Sequence, residues 1–177
     1  MNEIPQSLLV ALISALIALL SLIISKEQKI SEFRQVWINT LRNYISDLLS
    51  LANRVAMEAS VFNEISKNDG TLKLVDISDR IGNIFKGAYS AYHRISLNLN
   101  PKEHIELLNL IDEVERNLSN SEFLRNTNKF TELCDKLNNE ARIALKKEWI
   151  RVKKGEPFYQ FTKYVLSFLF LFWGCPR

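Results

Sequence analysis

Residues 7–25 form an unbroken apolar run of 19 positions with no charged side chain, and at about 1.5 Å of rise per residue a helix of that length spans roughly 30 Å of hydrocarbon. Beyond Ser25 the pattern changes from continuous to periodic. Ile30, Phe33, Trp37, Leu41, Tyr44, Leu48, Leu51, Val55 and Phe62 recur at helical spacing, with Ile38, Ile45 and Leu49 widening the face. This predicts one long amphipathic helix over 26–67. No Gly or Pro separates it from the apolar run, so the two are expected to be continuous. Asn68, Asp69 and Gly70 mark the first turn.

Three more helices follow by the same reasoning. Over 74–97, Ile77, Ile81, Ile84, Phe85, Ala88, Tyr92 and Ile95 share a face, and Gly82 and Gly87 either weaken the helix or permit close packing. The Asn100, Pro101 and Glu103 sequence reads as N-cap, first helical residue and capping box, predicting a third helix over 101–118. A fourth, running from after Ser119-Asn120-Ser121 to about 154, is expected to bury Phe130, Leu133, Cys134, Leu137, Ala141, Ala144, Leu145 and Trp149, and to end at Gly155 and Pro157. Aromatic and aliphatic residues then fill 158–173, although the uninterrupted apolar part, from Tyr164 to Trp173, is only ten residues long. That segment is expected to insert deeply or to span.

The fold class expected is therefore all-α: an N-terminal transmembrane helix over 1–25, a four-helix up-down cytoplasmic bundle over 26–157, and a C-terminal hydrophobic membrane helix over 158–177. An even number of helices returns the chain to the bilayer where the second apolar segment begins. The stretch before residue 7 carries no Lys or Arg, and no small-x-small cleavage site follows the apolar run. An uncleaved anchor is thus expected rather than a signal peptide.

Within the first segment Ser7, Ala11, Ser14, Ala18, Ser21 and Ser25 alternate in steps of four and three, forming a seam of small residues. In lipid, close backbone approach and hydroxyl hydrogen bonds drive helix association. The seam either packs against the second apolar segment or joins copies of the chain into a homo-oligomer.

Charge adds orientation. The net formal charge is only +3, but its distribution is uneven: Lys26 and Lys29 follow the first apolar run, and Arg142, Lys146, Lys147, Arg151, Lys153 and Lys154 precede the second. By the positive-inside rule the middle domain is cytoplasmic. In the expected bundle one end gathers Arg34, Trp37, Arg42, His93, Arg94, Asn100, His104, Glu148, Trp149 and Arg151. That layer either faces lipid headgroups or reads out a partner. The aromatic and basic residues Arg80, Phe85, Lys86, Tyr89, Tyr92, His93 and Arg94 could serve nucleic acid, but their aromatics coincide with the expected core face.

Catalytic chemistry finds little support. His93 and His104 lack the i, i+4 spacing of a helical metal site, no Gly-rich phosphate loop or nucleophile motif is present, and no cofactor is implied. Cys134 lies on an apolar face and reads as core. Cys175 stands alone near the expected membrane boundary.

Three segments carry a family resemblance: Phe33-Arg34-Gln35-Val36-Trp37-Ile38-Asn39-Thr40-Leu41-Arg42, Leu97-Asn98-Leu99-Asn100-Pro101-Lys102-Glu103-His104, and Leu145-Lys146-Lys147-Glu148-Trp149-Ile150-Arg151-Val152-Lys153-Lys154-Gly155. They resemble small bacterial membrane-anchored helical proteins, some similar to the two-transmembrane effectors of retron anti-phage defence systems. The resemblance implies a toxic effector at the bacterial inner membrane. It would be held inactive in a complex with a retron reverse transcriptase and its DNA–RNA product, and would permeabilise the membrane on release. The alternative expectation is a membrane-tethered helical adaptor or sensor whose cytoplasmic part binds a protein partner.

Overall fold

A computed structural model describes residues 5–67, 71–155, 159, 160, 163, 164 and 167. Every regular element among the described residues is an α-helix: α1 (Gln6–Ser66), α2 (Thr71–Asn98), α3 (Ile105–Leu118), α4 (Ser121–Arg125) and α5 (Thr127–Lys154). The expected turn at 68–70 lies outside the described residues. So does most of the expected C-terminal membrane segment, of which Tyr159, Gln160, Lys163, Tyr164 and Ser167 are described and helical.

Helix α1 is 61 residues long. Pro5 precedes it, and its carbonyl accepts from the Leu8 and Leu9 amides, so a residue without an N–H occupies a position that needs none. The apolar run and the amphipathic run are one helix, as the lack of Gly and Pro between them predicts. Its first part contains an 18-residue window apolar enough to cross a membrane, with none of the window buried.

The chain divides into two compact units, one formed by Met1–Val36 with Glu148–Arg177 and the other by Trp37–Lys147. The second unit holds most of the core. From α1 come Ile38, Leu41, Ile45, Leu48, Ala52 and Val55, from α2 Ile77, Ile84, Ala88, Ala91 and Ile95, from α3 Leu107, Ile111, Val114 and Leu118, and from α5 Phe130, Leu133, Leu137 and Ala141. Each run repeats in steps of three, four or seven, so one stripe of each helix faces inward. Burial of each large aliphatic side chain contributes on the order of 2 kcal/mol.

Two departures from the sequence expectation have a local hydrogen-bonding reason. The third helix starts at Ile105 rather than Pro101. The Asn100 carbonyl accepts from the amides of Glu103 and His104 and its side chain from Lys102, so Asn100 closes a turn and His104 stands at the helix N-cap. The expected fourth helix is two. Asn120 caps α4 by accepting from the Glu122 and Phe123 amides, and Asn126 accepts from the Lys129 amide, which restarts the chain as α5 after a one-residue break. Residues 121–154 thus contain two Asn-capped starts where periodicity alone shows one.

Candidate functional site

Arg34, Trp37, Arg42, Asn100, His104, Glu148, Trp149 and Arg151, expected to share one polar layer, are divided between the two units, and part of them forms a cluster in each. In the Trp37–Lys147 unit, Trp37 donates its indole N–H to the Asn98 carbonyl at 2.9 Å, and its ring lies 5.8 Å from that of His104. His104 is buried, with Nδ1 3.3 Å from the Asn100 carbonyl. A carbonyl can only accept, so Nδ1 carries the proton in this arrangement. The indole therefore closes the C-terminal end of α2 by satisfying a carbonyl that has no helical partner. Arg42 does not join this cluster: it is exposed and donates to Asn39 on its own helix at 2.8 Å. Asn100 contributes its backbone to the turn, while the residue itself is exposed.

Two further residues of the expected layer, His93 and Arg94, are exposed. His93 packs edge-on against Tyr92, and Arg94 sits 5.5 Å above the Tyr44 ring. Tyr92 donates to the Asp112 carboxylate at 3.0 Å, which together with partial burial raises the phenol's pKa. Arg80 pairs with Glu58 at 3.1 Å, and Phe85 and Tyr89 stack at 6.2 Å. The Phe85, Tyr89 and Tyr92 rings of the basic and aromatic stretch are half-buried within their own unit.

In the terminal unit the central group is Glu148, whose side chain is 7% exposed. One oxygen accepts from Arg151 at 2.8 Å and the other lies 3.4 Å from Arg34 Nε, so a guanidinium from α1 and one from α5 hold the same carboxylate. A carboxylate removed from water requires such pairing. Trp149, expected in the core, is instead 42% exposed, with the Lys153 ammonium 5.6 Å from its ring centroid. The inward register of α5 runs through Leu137, Ala141 and Ala144 to Glu148, which turns the adjacent indole outward.

Helix α5 ends in Arg151, Lys153 and Lys154, cations placed where the helix dipole is negative. Gly155 follows at φ 78° and its amide donates to the Arg151 carbonyl at 2.9 Å. A Cβ at this position would stand 2.7 Å from Tyr159 Cδ1 and 2.9 Å from Glu27 Oε1, so the site needs glycine for both backbone and space. The Gln160 side-chain amide donates to the Gly155 carbonyl at 2.9 Å. Arg142, Lys146 and Lys147, the other expected juxtamembrane cations, are exposed on α5.

The seam residues Ser7, Ala11, Ser14, Ala18, Ser21 and Ser25 are all exposed. Ser21 donates its hydroxyl to the Ile17 carbonyl one turn back, at 2.9 Å. Cys134 is buried, and burial pushes its thiol up to about 11. Cys175 lies outside the described residues.

No family model matches this chain, no curated protein matches it, and no solved structure matches its fold.

Proposed function

We propose that this protein is a membrane-embedded toxic effector of a bacterial anti-phage system of the retron type. It sits in the inner membrane with its helical part in the cytoplasm as a four-helix bundle, and a second hydrophobic segment enters the bilayer at its C-terminus. A complex with the reverse transcriptase and its DNA–RNA product keeps it silent. Release lets copies associate through the small-residue seam of α1 and breach the permeability barrier.

The observation that carries this reading is α1 itself. An 18-residue apolar window stands wholly unburied, bears a seam of Ser and Ala, and belongs to a helix that runs on to Ser66 with neither Gly nor Pro. Such a helix has none of the usual kink sites. The resemblance of residues 33–42, 97–104 and 145–155 to small bacterial membrane-anchored helical proteins, some of them similar to effectors of this type, supports the biological setting.

Expression of the chain without neighbouring genes should collapse the membrane potential, read with a potential-sensitive dye. Replacing Ser14, Ala18 and Ser21 by Leu keeps the segment apolar while blocking close approach, and should abolish the effect. Undiminished depolarisation by the triple variant would remove the seam from the mechanism. Full activity after exchanging residues 7–25 for an unrelated anchor would instead identify a tethered adaptor.

A further inference from the structure

The terminal unit brings the end of the unburied apolar run of α1 and the end of α5 to the same place. Glu27, two residues beyond the run, has its carboxylate against Gly155, immediately after Lys153 and Lys154. Lys26, Lys153 and Lys154 are exposed, and none of them enters an ion pair among the described residues. Among the described residues Glu32 pairs with Lys29 and Glu148 with Arg34 and Arg151, while Glu27 Oε1 lies close to Gly155. Two aromatic rings at this level each carry an ammonium group, Lys153 at 5.6 Å from the Trp149 centroid and Lys163 at 5.7 Å from that of Tyr159. Amphipathic rings and long-stemmed lysines at the end of an apolar helix belong at headgroup depth, with the stem in the apolar layer and the charge among phosphates.

We infer that Lys26, Lys153 and Lys154 form a binding site for anionic phospholipid headgroups, brought together where Glu27 approaches Gly155. The lysine ammoniums meet phosphate oxygens as point charges, and the glycine turn holds two of them at the level where the first helix leaves the hydrocarbon. The inference rests on insertion of α1 into a bilayer and not on toxicity.

The test uses the full chain reconstituted in phosphatidylcholine with trace spin-labelled phosphatidylglycerol or spin-labelled phosphatidylcholine, reading the motionally restricted fraction of each. The expected preference for phosphatidylglycerol is roughly threefold, falling to equality when the three lysines are replaced by glutamine and persisting when they are replaced by arginine. Lys146→Gln/Lys147→Gln, seven residues earlier on α5 and thus about 10 Å away by helical rise, should leave most of the preference, because that separation is comparable to a Debye length. An equal loss in this control would make the effect one of bulk charge and overturn the site. Displacement of the labelled lipid by an added oligonucleotide, but not by salt of the same ionic strength, would assign the lysines to nucleic acid and overturn it too. Equal restriction of the two lipids by a properly inserted wild-type chain would defeat this inference alone. Failure of the chain to enter bilayers would defeat the proposed function with it.

Discussion

Gly82 and Gly87 both lie inside α2, yet the structure assigns them opposite tolerances. Around Gly82 an added methyl group would meet nothing within 4 Å, and the residue is exposed. Ala there should recover nearly the whole helix-propensity difference, about 0.8–1 kcal/mol. At Gly87 the same methyl would stand 3.2 Å from Leu51 Cδ1 and 3.4 Å from Cδ2. Leu51 must then shift by a few tenths of an ångström, and since small overpacking costs on the order of 1 kcal/mol, the propensity gain is consumed. The assay is thermal unfolding followed by helical circular dichroism in detergent. Gly82→Ala should raise the midpoint by about 4 °C and Gly87→Ala by less than half of that. In a double-mutant cycle, Gly87→Ala should recover its gain when Leu51 is also Ala, giving a coupling of at least about 0.5 kcal/mol. Equal shifts at the two glycines, or an additive cycle, would refute the claim that α2 approaches α1 closely at Gly87.

Two further outcomes follow from buried polar chemistry. Glu148→Gln removes the charge that holds two guanidiniums, and because Arg34 and Arg151 are 23% and 42% exposed at the side chain, the cost should be about 1–2 kcal/mol rather than the larger value of a fully buried pair. An unchanged unfolding midpoint would mean that the cluster contributes no stability. For Cys134, burial raises the folded thiol to about 11 from an ordinary value of 9.0. Both states are protonated below pH 9, so no effect is expected there; above it the unfolded state ionises first, and stability should fall progressively towards pH 11. In a Cys175→Ser background the folded chain should react with an aqueous thiol reagent at pH 8 far more slowly than the denatured chain, and equal rates would show that the thiol is accessible.

Much of the helical architecture was legible from periodicity, because an amphipathic stripe records which face is buried whatever it packs against. The limits were local. On α1 the sequence reading mixed two adjacent lines: Ile38, Leu41, Ile45, Leu48 and Val55 are buried, but Phe33 is 72% exposed, since a stripe wider than one helix contact cannot reveal its own centre. The Asn126 break arises from one side chain capturing the Lys129 amide, a choice that hydrophobic spacing does not encode. Pro101 starts no helix for the converse reason: N-cap chemistry is also turn chemistry, and Asn100 uses it for a turn. For the polar layer, the residue types were identified but not their grouping. The burial of Glu148, a residue the sequence already places in the layer, follows from extending Leu137, Ala141 and Ala144 by one more step, with Arg151 three residues on to neutralise it. The exposure of Trp149 follows from the same register, whereas the arrival of Arg34 from α1 depends on tertiary packing.

The Ser21 hydroxyl bonded to the Ile17 carbonyl has a consequence for how such an anchor behaves in hydrocarbon. A polar group lacking any acceptor would compel its helix to seek company, because isolation would leave it unsolvated. Here the intrahelical bond satisfies the donor at 2.9 Å, so a solitary helix incurs no such penalty and dimerisation rescues nothing at this position. If copies pair as proposed, the contribution of this position to pairing would come from surface fit rather than from a new hydrogen bond.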